Sequence, residues 1–247
     1  MYLHRAIIAR TRRRGGEPTL PPRINARAVV VGGDGGVGER IAVGLTDRGI
    51  EVSVVAGAPT DPGAVEAACA RAADAGSLNA VVHAHVPPAA LESRPLTDVP
   101  DDEWQALADE PVRSLLRTLQ AARRHLRPGG RVVVVVPTVA LTGDAGFVPL
   151  ATAGEAQRVL AKSAARSWGS ADITVNAVAA SRAQLLGAAP GADGPEGGSH
   201  LDAGALAPAD GESEDDVVAA VALLLEPAAS RLTGATLAAD GGVVMAP

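Results

Sequence analysis

The chain is predicted to fold as an α/β domain built on a doubly wound parallel sheet, and three observations carry that expectation. Short runs of β-branched and aliphatic residues alternate with segments of helical periodicity from Ala26 to Ala239. One of these runs, Val132–Val136, is pure valine, as suits a strand buried on both faces. A glycine-rich turn, VVVGGDGGVG at 29–38, joins the first strand to the first helix, and such corners sit at the ligand edge of parallel sheets.

The elements follow in order. Ala26–Val31 reads as a buried strand, Gly36 to Arg48 as a helix and Glu51–Val55 as a second strand. Pro62 marks a helix start and Val65–Ala75 continues it. Ala80–Val86 is a third strand. Asp101–Leu126 is a long helix that Pro111 should kink. After the valine strand come a helix over 150–168, a strand Ile173–Val178, a Gly/Ala/Pro/Asp-rich stretch at 185–212, a helix Asp215–Leu225 and a short strand Ala235–Ala239. Strands alternating with helices imply right-handed crossovers and helices on both faces. One ligand site is then expected beyond the strand ends, built from 32–38, 83–86, 137–147 and 179–212.

Composition narrows the function classes. Aromatic residues amount to Tyr2, Trp104, Phe147 and Trp168, so the core must be small and aliphatic. The single cysteine, Cys69, excludes an internal disulfide and a cysteine-rich metal site, and it fits a reducing cytoplasm. No apolar run reaches the roughly 18–20 residues of a membrane span. Residues 1–26 carry six arginines against Glu17, about +5, while the remainder is near −11. The acidic body argues against nucleic acid. Residues 1–25 are expected to be a basic, disordered leader and 26–247 one domain, with 185–212 a mobile, lid-like loop.

The segments resemble the short-chain dehydrogenase/reductase superfamily, nearest to its β-ketoacyl-carrier ketoreductases. Gly32, Gly36 and Gly38 match its GxxxGxG loop. TVNAVA at 174–179 and ASRLTGATLAADGG at 229–242 are similar to its later motifs. The resemblance implies a Rossmann-like single domain. Val55-Ala56-Gly57 runs so soon into TDPGAVEAA that the third family strand is expected to be missing, leaving six strands. It also implies a dinucleotide held by Gly32, Gly36, Val37 and Gly38, whose backbone and helix N-terminus suit a pyrophosphate.

The same resemblance implies a proton relay of tyrosine, lysine, serine and asparagine. Anchored on Trp168 and Lys162, the tyrosine position falls at Leu150 and the lysine position at Gly154. The serine position falls at Pro137 or Thr138, and the asparagine position near Pro111. The second strand ends without an acidic or basic residue for the ribose, and NNAG is replaced by His83-Ala84-His85-Val86. These departures lead to an expectation of no nicotinamide cofactor, or only weak NADP(H) or NAD(H) binding.

Three functional readings follow. The first is a non-reducing subunit that pairs, as a homo- or hetero-oligomer, with an active ketoreductase in acyl-carrier metabolism. Pairing would use helices 101–126 and 150–168, the surfaces through which the family usually associates. The second is an atypical NAD(P)H-dependent ketoreductase taking a proton from water, Thr138 or a histidine. The third is a non-redox acid–base enzyme using His83 and His85, which share a strand face two residues apart. No resident metal is expected, since a third ligand beside the histidines is not evident; Asp144 and His200 are no more than possibilities.

Overall fold

The structure, a computed structural model, describes residues 26–56, 63–186 and 214–244. The expected leader and residues 187–212 of the expected lid lie outside the described residues.

Six parallel strands form one sheet in the order β2-β1-β3-β4-β5-β6. They are β1 (Arg27–Val31), β2 (Glu51–Val55), β3 (Leu78–His83), β4 (Arg131–Pro137), β5 (Thr174–Ala180) and β6 (Thr236–Ala238). The fold class and the strand count are those expected. Every residue of β4 and β5 is buried, which explains why their sequences show no polar alternation.

Helices cover both faces. One face packs Ala28, Val30, Val133 and Val135 against α1 (Gly36–Asp47) and α8 (Glu214–Leu225). The other packs Val29, Val31, Val132 and Val134 against α2 (Ala64–Asp74), α4 (Glu110–His125) and α6 (Val148–Trp168). Alternate residues along each strand serve opposite faces, and both sets are buried. The order in which strands are added across the sheet reverses between β1 and β3, which opens the crevice beyond their carboxyl ends.

Three expectations need correction. The strand written as Ala80–Val86 stops at His83. On its β1 side Ala84 still donates to Val31 O before Gly32 turns away, and on its other side pairing with β4 ends at His83 opposite Val134. The long helix is not kinked at Pro111 but divided before it. A short α3 (Asp101–Trp104) passes through a π turn at Gln105–Asp109 into α4. The wider turn takes up the bond that proline cannot make, and Pro111 lies in the first turn of α4. The irregular stretch begins later than 185, because α7 (Arg182–Leu186) is helical.

Candidate functional site

The glycine corner is held at both shoulders. Gly32 donates its N–H to Val55 O at 2.9 Å, and Ala84 N donates to Val31 O at 2.8 Å. Gly32 has φ +84°, and a β-carbon there would lie 2.7 Å from the His85 amide nitrogen. Gly38 faces Gly32 O so closely that any side chain would collide with it, so this glycine serves helix-on-turn packing. Gly36 is covered by α7, whose Leu185 carbonyl would lie 2.7 Å from an added β-carbon.

Gly35 differs from these three. A β-carbon placed on it meets no described atom within 4 Å. It precedes α1, which has no side-chain cap on its first turn. A cavity of about 350 Å³ opens there, lined among others by Gly32, Asp34, Gly35, Gly36, Val37 and His85. Its volume lies within the roughly 300–1,000 Å³ of small-molecule clefts. Uncapped amides at a helix start, beside open glycine, suit the phosphates of a dinucleotide. Asp34 is the one acidic group among the described residues of that wall.

The relay positions form a packed contact. Leu150 is 2 % exposed. A β-carbon on Gly154 would lie 2.8 Å from Pro137 Cδ, from Pro137 Cγ and from Ala140 Cβ. Gln157, one turn further along α6, donates from Nε2 to Pro111 O at 3.1 Å. The space these residues enclose with His85 and Leu107 is about 10 Å³, close to the room for a single water. Thr138 is buried, donates its backbone N–H to Ala180 O at 2.8 Å and precedes the short α5 (Val139–Thr142). It lines neither this space nor the glycine cleft.

The two histidines are brought together but do different things. Their rings meet edge-on at 6.5 Å between centroids. His83 is fully buried and its Nδ1 shares a hydrogen bond of 3.1 Å with Thr118 Oγ1. Burial pushes its pKa down to about 3, so it is neutral. It faces neither cavity. His85 faces both. Burial lowers its pKa and the Asp34 carboxylate opposes that shift. Among the described residues no three histidine, cysteine, aspartate or glutamate side chains are grouped to hold a metal ion.

One feature near the cleft was missed although its signal was in the sequence. Ser181-Arg-Ala-Gln184 is a capping box. Gln184 N donates to Ser181 Oγ at 3.2 Å and Ser181 N donates to Gln184 Oε1 at 2.8 Å. Gln184 Nε2 also donates to Ala239 O at 2.7 Å, tying α7 to the end of β6. The box fixes α7 above Gly36. Asn176 ties β5 to the segment before β6, donating to Leu232 O at 2.8 Å and accepting from Ala235 N at 3.1 Å.

A doubly wound parallel sheet with a glycine cleft at its switch point defines a Rossmann-like protein of the short-chain dehydrogenase/reductase type. A family model described as Enoyl-(Acyl carrier protein) reductase matches residues 48–244, and the chain belongs to that family. Among curated proteins it is similar to the 3-oxoacyl-(acyl-carrier-protein) reductase FabG of Salmonella typhimurium, 31% identical over 149 residues. That match covers 59% of each chain, so less than two thirds of the relative's length is spanned. Among solved structures, a short-chain dehydrogenase from Burkholderia cenocepacia in complex with NADP has a TM-score of 0.69 at 29% identity, covering 88% of this chain and 97% of that one. A short-chain type dehydrogenase/reductase from Mycobacterium ulcerans has a TM-score of 0.73 at 26% identity, covering 88% of this chain and 89% of that one.

The expectation of no cofactor, or only weak binding, is corrected by these findings. A structural neighbour spanning nearly its whole length carries NADP, and the family is one of nicotinamide-dependent reductases. The error has a physical source. The ribose residue missing after β2 and the replaced NNAG were read as loss of the cofactor, whereas the glycine corner and the uncapped start of α1 remain as a cleft that suits its phosphates. No helix among the described residues is long and apolar enough to cross a membrane.

Proposed function

We propose that the chain is a cytoplasmic, dinucleotide-binding subunit of ketoreductase type that does not itself deliver the proton for carbonyl reduction. It works in acyl-carrier metabolism by pairing with an active short-chain reductase. The observation that carries this reading is the interlock of Gly154 with Pro137 beneath Leu150. That contact leaves no acidic hydrogen and no room for a carbonyl at the positions where the relay would stand.

NADP(H) belongs in the cleft above Gly32, Gly36, Val37 and Gly38, with Gly35 and the first turn of α1 facing its phosphates. The bound nicotinamide would supply hydride chemistry. This chain's own residues would bind and orient it, and Leu150 and Pro137 would exclude water beneath. Pairing falls on the outer side of α4 and α6. An open apolar groove of about 830 Å³ runs there, lined by Val112, Val148, Ala151, Ala156, Val159 and Leu160 with others.

Affinity purification from the native host, followed by mass spectrometry, tests the reading. Stoichiometric recovery of a second short-chain reductase is expected. A homo-oligomer alone, turning over a ketoacyl thioester with NADPH, would overturn it. That last outcome would favour an atypical ketoreductase, for which His85 is the one titratable side chain among the described residues that lines both the cleft and the relay position.

A further inference from the structure

We infer that the amino-terminal end of the sheet carries a second ligand site, for a phosphate group, at the edge opposite the glycine cleft. A cavity of about 270 Å³ lies there, lined among others by Arg27, Ser77, Asn79, Gly129 and Arg131. The inference does not rest on the proposed function.

Topology brings these residues together. Arg27 opens β1 and Arg131 opens β4, and both strands pair with β3. The two arginines thus start strands about 10 Å apart, with Asn79 of β3 between them. Both guanidinium groups are oriented by the protein itself. Arg131 donates from one terminal nitrogen to Gly129 O at 2.8 Å and to Gly130 O at 3.2 Å. Arg27 lies over Gly76 and pairs through Nε with Glu51 Oε2 at 3.0 Å. Asn79 spends its Oδ1 on Arg27 N at 2.9 Å, with Ser77 Oγ at 3.5 Å, so its amide donors are the end left for a ligand.

The wall is therefore rich in donors and carries two oriented guanidinium groups, of which Arg27 is ion-paired with Glu51. No carboxylate is among its described lining residues, although the chain as a whole carries a net charge of −6. Arginine pairs of this kind match the geometry of a tetrahedral oxyanion through paired N–H bonds. The volume is below that of ordinary small-molecule clefts, which fits inorganic phosphate or the phosphate end of a small ester rather than a nucleotide.

Calorimetric titration of the full chain at constant ionic strength, with inorganic phosphate and with glycerol 3-phosphate, tests the site. Saturable binding is expected, weakened about tenfold or more in both Arg27→Met and Arg131→Met and unaltered in the distant Arg117→Met. Tighter binding of the ester would identify an ester as the source, and equal binding inorganic phosphate. Arg27 is the more exposed of the pair, so Arg27→Met decides the matter if Arg131→Met does not fold. NADPH should leave phosphate binding unchanged. Displacement of phosphate by NADPH would place it in the glycine cleft and overturn the inference. So would unaltered affinity in Arg27→Met, or no saturable binding of either probe.

Discussion

Gly154 and Pro137 share one volume: a β-carbon on the glycine would lie 2.8 Å from two atoms of the proline ring. An alanine in a helix interior ordinarily stabilises by about 1 kcal/mol relative to glycine. Here Gly154→Ala should instead destabilise, by about 1–3 kcal/mol, because the ring must shift. Urea denaturation measures it. The double variant with Pro137→Ser should recover most of the loss, since contacting residues couple. A stabilised Gly154→Ala would mean the interlock is looser than described.

Gly35 allows binding to be separated from folding. Its φ of 178° is open to any residue, and a β-carbon there touches no described atom within 4 Å. Gly35→Val should leave stability within about 0.5 kcal/mol while crowding the phosphates. NADPH affinity measured by calorimetry should then fall about tenfold or more. Unchanged affinity would remove the cleft as the dinucleotide site.

His83 should make stability depend on pH. Its folded pKa is depressed to about 3 by burial, whereas the unfolded side chain titrates near 6.5. Between those values the unfolded chain holds a proton that the folded chain does not. Stability is therefore complete above about pH 6.5 and declines as pH falls, by up to about 1.4 kcal/mol per pH unit. Denaturation midpoints at pH 7 and pH 5 should differ, and His83→Leu should flatten the difference. Glu66, whose pKa is lowered chiefly by its hydrogen bond to His125, is also lost on acidification, but only below the ordinary carboxylate range.

The capping box on α7 should be felt at the cleft. Gln184→Ala removes the acceptor of Ser181 N and the donor to Ala239 O, a loss of about 1–3 kcal/mol. Because Leu185 rests on Gly36, NADPH affinity should change with it. A variant that loses stability but binds NADPH as before would make α7 a structural strap only.

The outer face of α4 and α6 offers a test of association. Val159 is 56 % exposed there. Val159→Glu should shift the sedimentation coefficient toward that of a smaller species without altering the thermal midpoint of the isolated subunit. An unaltered assembly would move pairing elsewhere.

Much of this protein was determined by local sequence. Strand and helix order, six strands and the glycine corner all follow from periodicity and from glycine's freedom at Gly32. The Ser181–Gln184 box was equally legible, being a four-residue pattern. Other features depend on residues distant in sequence. That the strand ends at His83 goes with where its pairing to both β1 and β4 stops. That His83 faces Thr118 and His85 faces the cleft was decided by α4 and the glycine corner, not by their two-residue spacing. The filling of the relay position needed Pro137, Leu150 and Gly154, from β4 and α6, to meet in space. Convergence of Arg27 and Arg131 likewise exists only because β3 lies between their strands. The sequence by itself determined which elements form, since their stabilising terms are local; tertiary packing decided which side chains share a volume, since that depends on the crossovers.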